Sequence, residues 1–155
     1  MKTISGTMQA SESGDDSICV PTDAEGYLVA ANAMLSGART LGKTTPVSNF
    51  ALTLLCGYAS ECALKAMLSQ SGVHTNKLKS PALGHQLIKL WSIAVEKGID
   101  LPTSPQQWIE HINRVHAAPH HLRYPLGLHA MVLPNQESML DGVEQLCSIA
   151  NACVK

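Results

Sequence analysis

The sequence predicts an all-α protein, an antiparallel bundle of four to five helices, and three observations carry that prediction. Apolar residues make up 45% of the 155-residue chain but aromatics only 4%, so a core has to be built from Ala, Leu, Ile, Val and Met. Apolar residues recur at spacings of three and four through five segments, the period of a helix face and not the alternation of a strand. Ser or Thr stands where helices should begin, twice with Glu or Gln three residues later. The length is that of one domain, enough to bury a core without cross-links.

Residues 1–21 are rich in Ser, Gly, Asp and Thr, lack periodicity and are expected to form a flexible N-terminal arm; residues 22–155 are the folded unit. Thr22 and Glu25 form a capping box for a first helix that places Tyr27, Ala31, Leu35, Ala38 and Leu41 on one face and stops near Gly42. Ser48 caps a second helix, apolar over most of its circumference. Its one narrow polar strip is Thr53, Gly57, Glu61, Lys65 and Ser69, expected to be wet, and Gly72 ends it. A polar connection, "VHTNKLKSPALG", leads to a third helix from His85 to Lys97, with Leu87, Leu90, Trp91 and Ala94 inward and Gly98 as its stop. Ser104, Pro105 and Gln107 read as cap, first position and box for a fourth helix burying Trp108, Ile109, Ile112 and Val115. Pro119 forbids its continuation, because the ring would meet the carbonyl of Val115. Irregular chain follows through "HHLRYPLGLHAMVLPN", then a last helix from Gln136 to Ala152 with Leu140, Val143, Leu146 and Ala150 inward.

Charge excludes one class of function. A formal charge of −1 gives no long-range pull on a polyanion, so contact with RNA or nucleotides has to be a local patch. The five cysteines form no C-x-x-C pair, and their odd count fits reduced thiols in a cytoplasmic protein, most of them filling core. The N-terminus lacks the apolar stretch of a secretory signal, and no apolar run is expected to reach membrane-spanning length. A cytoplasmic protein without membrane contact is the expectation.

Several side chains admit two readings. Glu61 and Lys65, at i and i+4, are either a solvated surface pair or the floor of a cleft. His85 either meets a phosphate at a helix start or caps that helix. His111, His116, His120, His121 and His129 lie close in sequence but carry no Asp, Glu or Cys at ligand spacing, and no metal or other cofactor is assigned to them. Arg123 suits a phosphate clamp or a tie to a carbonyl or to Glu61, and Tyr124 stacks on a base or fills a gap beside Pro125. Trp91 and Trp108 belong to the core.

Three fragments in order, "GYASECALKAML" (57–68), "GHQLIKLW" (84–91) and "HHLRYP" (120–125), resemble the HEPN superfamily, small helical domains widespread in prokaryotic defence. The resemblance covers the chain from about Tyr27 onward. It implies a bundle that often dimerises and that binds RNA or nucleotides, or cleaves RNA without a metal. Cleaving members share an Arg-x(4–6)-His element, in which imidazole moves a proton and Arg holds the scissile phosphate. Arg123 with His129 fits that spacing, and Arg114 with His120 is the substitute pair. Tyr124 and Val115 follow the two arginines, where cleaving members tend to carry Asn, Asp or His. By the same resemblance Glu61, Lys65, His85 and Tyr124 line the RNA or nucleotide site. A homodimer and a neighbouring-gene partner, an antitoxin or a nucleotidyltransferase-like protein, are the implied assemblies. The alternative from a different class is a non-catalytic dimerising partner in which the "RYP" segment is a structural clasp.

Overall fold

A computed structural model describes residues 20–127 and 130–155. Six helices follow in order: α1 (Asp23–Gly42), α2 (Asn49–Gln70), α3 (Thr75–Leu78), α4 (Leu87–Glu96), α5 (Gln107–His116) and α6 (Gln136–Cys153). There is no strand among the described residues, so the all-α class holds. The expected N-terminal arm lies outside the described residues up to residue 19.

The first turn of α1 forms as its sequence dictates. Thr22 Oγ1 accepts from the Glu25 backbone N–H at 3.2 Å, and the Glu25 carboxylate accepts from the Thr22 N–H at 2.7 Å. Ser48 caps α2 through the Ala51 N–H, and Asn135 caps α6 through the Ser138 N–H. Gly72, with φ +84°, supplies the left-handed turn just past α2.

Helix α2 is the one the others surround: α1, α4, α5 and α6 all pack against it, and α6 also meets α1 and α5. It is long and apolar enough to cross a membrane by length and composition, which corrects the expectation that no run reaches that span. Yet 72% of that apolar window is buried inside the protein. Its polar strip is not wet either. Thr53, Gly57, Glu61 and Lys65 are all buried, and only Ser69 reaches partial exposure. Thr53 and Ser60 solve their burial locally, each hydroxyl donating to the carbonyl four residues back. Cys56 and Cys147 fill core, as expected; burial, followed by the neighbouring thiol, pushes Cys56 up to about 12.

Three helix starts depart from expectation. The connection read as merely polar contains α3, whose N-cap is the His74 ring and whose Leu78 is fully buried. Helix α4 begins at Leu87, two residues late, because the His85 ring is spent on α2 instead of on α4's amides. Helix α5 begins at Gln107 with Gln106 at its cap position, so Ser104 caps nothing. The tryptophans account for this. Trp91 Nε1 donates to the Pro102 carbonyl at 2.8 Å and Trp108 Nε1 to Gln106 Oε1 at 2.6 Å, which fixes residues 102–106 outside the helix. Both rings are buried, and Trp108 lies against Gly142 so closely that a Cβ there would sit 2.2 Å from the indole.

Past α5 the chain turns back on itself. His120 has a left-handed backbone (φ +63°), the Leu122 N–H donates to the Val115 carbonyl at 3.1 Å, and the buried Leu122 side chain anchors the bend. This bend places residues 120–124 beside the middle of α2.

Candidate functional site

Glu61, in the fourth turn of α2, is the centre of a buried polar cluster. Its Oε1 accepts from Lys65 Nζ at 2.6 Å, one helical turn on. Its Oε2 accepts from His116 Nε2 at 2.7 Å and from His85 Nδ1 at 2.8 Å. Burial opposes ionisation of this carboxyl, but the hydrogen bond from His116, the hydrogen bond and charge of Lys65, and the hydrogen bond from His85 outweigh it. Together they hold the group down to about 2. Glu61 and Lys65 are each only 5% exposed, so the pair is not the solvated surface pair of the first reading.

The three elements reach Glu61 for identifiable reasons. His116 is the last residue of α5 and lies four residues past Ile112, on the same apolar stripe, so the stripe carries the ring into the interior. Its ring meets Tyr58 edge-on, with centroids 5.1 Å apart and planes at 87°. It also presses on Gly57, where a Cβ would come within 2.7 Å of Nδ1. Only glycine leaves that space open. His85 arrives from the turn before α4 with Nδ1 inward, and 38% of its side chain is exposed, so the ring spans from the buried carboxylate to the surface.

The bend after α5 adds a second layer. His120 Nδ1 bonds the His116 carbonyl at 3.1 Å, and its ring stands edge-on to His85 with centroids 4.9 Å apart. The Arg123 guanidinium carbon lies 5.9 Å from the centroids of both Tyr58 and Tyr124. Its nitrogens make no hydrogen bond or ion pair among the described residues, so the tie to Glu61 or to a carbonyl is not formed. Tyr124 is 61% exposed and fills no gap.

Glu61, Lys65, His85 and His120 are thus brought into one cluster, and Arg123 and Tyr124 form its rim. Arg114 stands exposed on α5, and nothing among the described residues joins it to His120. His129 lies outside the described residues, and with it the geometry of the Arg123–His129 pair. Two contributors were missed in the sequence, His116 and Tyr58. A signal for His116 was present: a histidine on the Trp108–Ile112 stripe needs a buried partner, and Glu61 is the one acidic residue on the most apolar helix.

The donor set has a further property. Glu61, His85 and His116 each offer a ligand atom, and these atoms all lie within 4.8 Å of one another. The histidine-rich segment has no carboxylate of its own at ligand spacing; the one that joins His116 lies 55 residues away in sequence. No family model, no curated protein and no solved structure matches the chain, so the chemistry of the site rests on its own geometry.

Proposed function

We propose that the chain is an antiparallel helical bundle of HEPN type that acts on RNA or a nucleotide in a cytoplasmic defence or toxin–antitoxin setting, by proton transfer without a metal. One observation carries the reading: a buried carboxylate holds His85 by Nδ1, which leaves Nε2 at the surface beside a second imidazole and an uncommitted guanidinium. A carboxylate fixed on one ring nitrogen sets the tautomer and orientation of the other, the arrangement a general base needs.

On an RNA strand the roles divide simply. Arg123 holds the phosphate bidentately. His85 Nε2 takes the proton of the ribose 2′-hydroxyl as that oxygen bonds to phosphorus, and His120 protonates the 5′-oxygen as its bond to phosphorus breaks. The products are a 2′,3′-cyclic phosphate and a free 5′-hydroxyl. Lys65 keeps Glu61 ionised, and Tyr124 offers a ring for a base to stack on. The acid–base work therefore falls to His85 and His120, with Arg123 in the role its spacing first indicated. Leu126 and Val132 are exposed like Tyr124, and such uncovered apolar side chains support the homodimer or neighbouring-gene partner as a cover for this part of the surface.

The same exposed apolar residues favour a second reading, a non-catalytic dimerising partner. Expression of wild type, His85→Ala, His120→Ala and Arg123→Ala separates the two. Growth arrest with RNA breakage, lost in all three variants while circular dichroism is unchanged, is the result expected of the enzyme. Intact RNA with wild type, alone and with the adjacent gene product, assigns the chain to the partner class.

A further inference from the structure

We infer that Glu61, His85 and His116 form a binding site for one transition-metal ion of the zinc class. The site does not rest on the RNA reading, since it needs only the three side chains, and the two states exclude each other at His85: a ring that ligates through Nδ1 carries its proton on Nε2 and is no base there.

Two imidazole nitrogens and one carboxylate oxygen are the donor set that suits Zn²⁺, Co²⁺ or Fe²⁺, and they are too rich in nitrogen for Ca²⁺ or Mg²⁺. They come from three separate elements, α2, the turn before α4 and the end of α5, and the closest approach is already at one atom, Glu61 Oε2. Ligand atoms around zinc sit about 3.0–3.4 Å apart when each is about 2.0–2.1 Å from the ion. The observed contacts of 2.7 and 2.8 Å have to open by roughly half an ångström for an ion to enter. His85, reaching the surface, is the ring that can make that movement; His116, wedged between Tyr58 and Gly57, is the fixed ligand. On entry each neutral ring turns to the ion the nitrogen now facing Oε2, and its one proton moves to the other ring nitrogen.

The outer contacts fit as well. Glu61 binds through Oε2 alone and keeps Oε1 on Lys65, so the ligating carboxylate is itself hydrogen-bonded. His120 is oriented by the His116 carbonyl through Nδ1, and its ring lies against His85. That leaves His120 Nε2 as a fourth ligand or as the partner of a bound water.

The test uses the full chain, stripped of metal by chelation. Zn²⁺ is titrated calorimetrically and Co²⁺ by its visible absorption. One ion per chain is expected, with visible cobalt bands of a nitrogen- and oxygen-ligated ion of low coordination number. His85→Ala, a partly exposed position, is expected to fold and to weaken binding at least about tenfold. His116→Ala is expected to weaken it further, and His74→Ala, at the exposed cap position before α3, to leave it unchanged. A folded wild type that takes up no zinc overturns the inference. So does a folded His85→Ala chain that binds zinc and cobalt like the wild type, since the ion would then sit on other histidines.

Discussion

Two ion pairs in this protein have the same chemistry and opposite surroundings. Arg39 of α1 meets Glu144 of α6 with side chains 52% and 41% exposed, whereas Glu61 and Lys65 are both buried and two imidazoles complete the carboxylate's shell. At the surface, water solvates either charge as well as its partner does, and salt screens what remains. In the interior no such substitute exists. Through the two imidazoles that share its carboxylate, the buried pair therefore specifies which elements must meet, while the exposed pair only decorates a contact already made by apolar packing.

Glu61→Leu has the largest expected effect. It strands the Lys65 charge and removes the acceptor of two rings, and should destabilise the fold by about 3–5 kcal/mol in urea unfolding. Adding Lys65→Met should recover only the part owed to the stranded charge, because both rings still lack their acceptor. Acid comes next. The folded carboxyl is depressed to about 2, so its contribution, on the order of 3 kcal/mol, is complete above about pH 4.5. It is lost as the pH falls from there through 2, which Glu61→Gln should abolish in thermal melts across that range.

Gly57→Ala places a methyl group against the His116 ring and should cost about 1–3 kcal/mol, with the Tyr58–His116 contact displaced in NMR spectra. Arg39→Ala stands at the bottom of the scale. A change below about 1 kcal/mol that vanishes in high salt is expected; a larger one would erase the contrast between the two pairs.

The helices were legible because their signals are local. Thr22 with Glu25, Ser48, and apolar residues at three and four act within one turn, and α1, α2 and α6 stand where those signals put them. Ser104 and Pro105 carried an equally good local signal and lost, since the Trp91 indole N–H, from α4, claims the Pro102 carbonyl and the Trp108 N–H holds the Gln106 side chain. The candidate site was legible in its members but not in its setting. Glu61, Lys65, His85 and Arg123 could be picked out by type and spacing. That the strip on α2 is dry depends on what α5 and the turn before α4 lay over it, and a helix's own sequence records its polarity without recording its cover. His116 was overlooked for the same reason: its partner lies 55 residues away.

The convergence on Glu61 also governs how the protein comes apart. Its shell is contributed by the middle of one helix, a turn and the tail of another, with nothing supplied twice. No fragment that stops short of α5 can hold the complete cluster, and loosening α5 alone takes His116 out of it while α1, α2 and α6 stay packed. Partial unfolding at that edge would silence the chemistry before the molecule loses its helical spectrum.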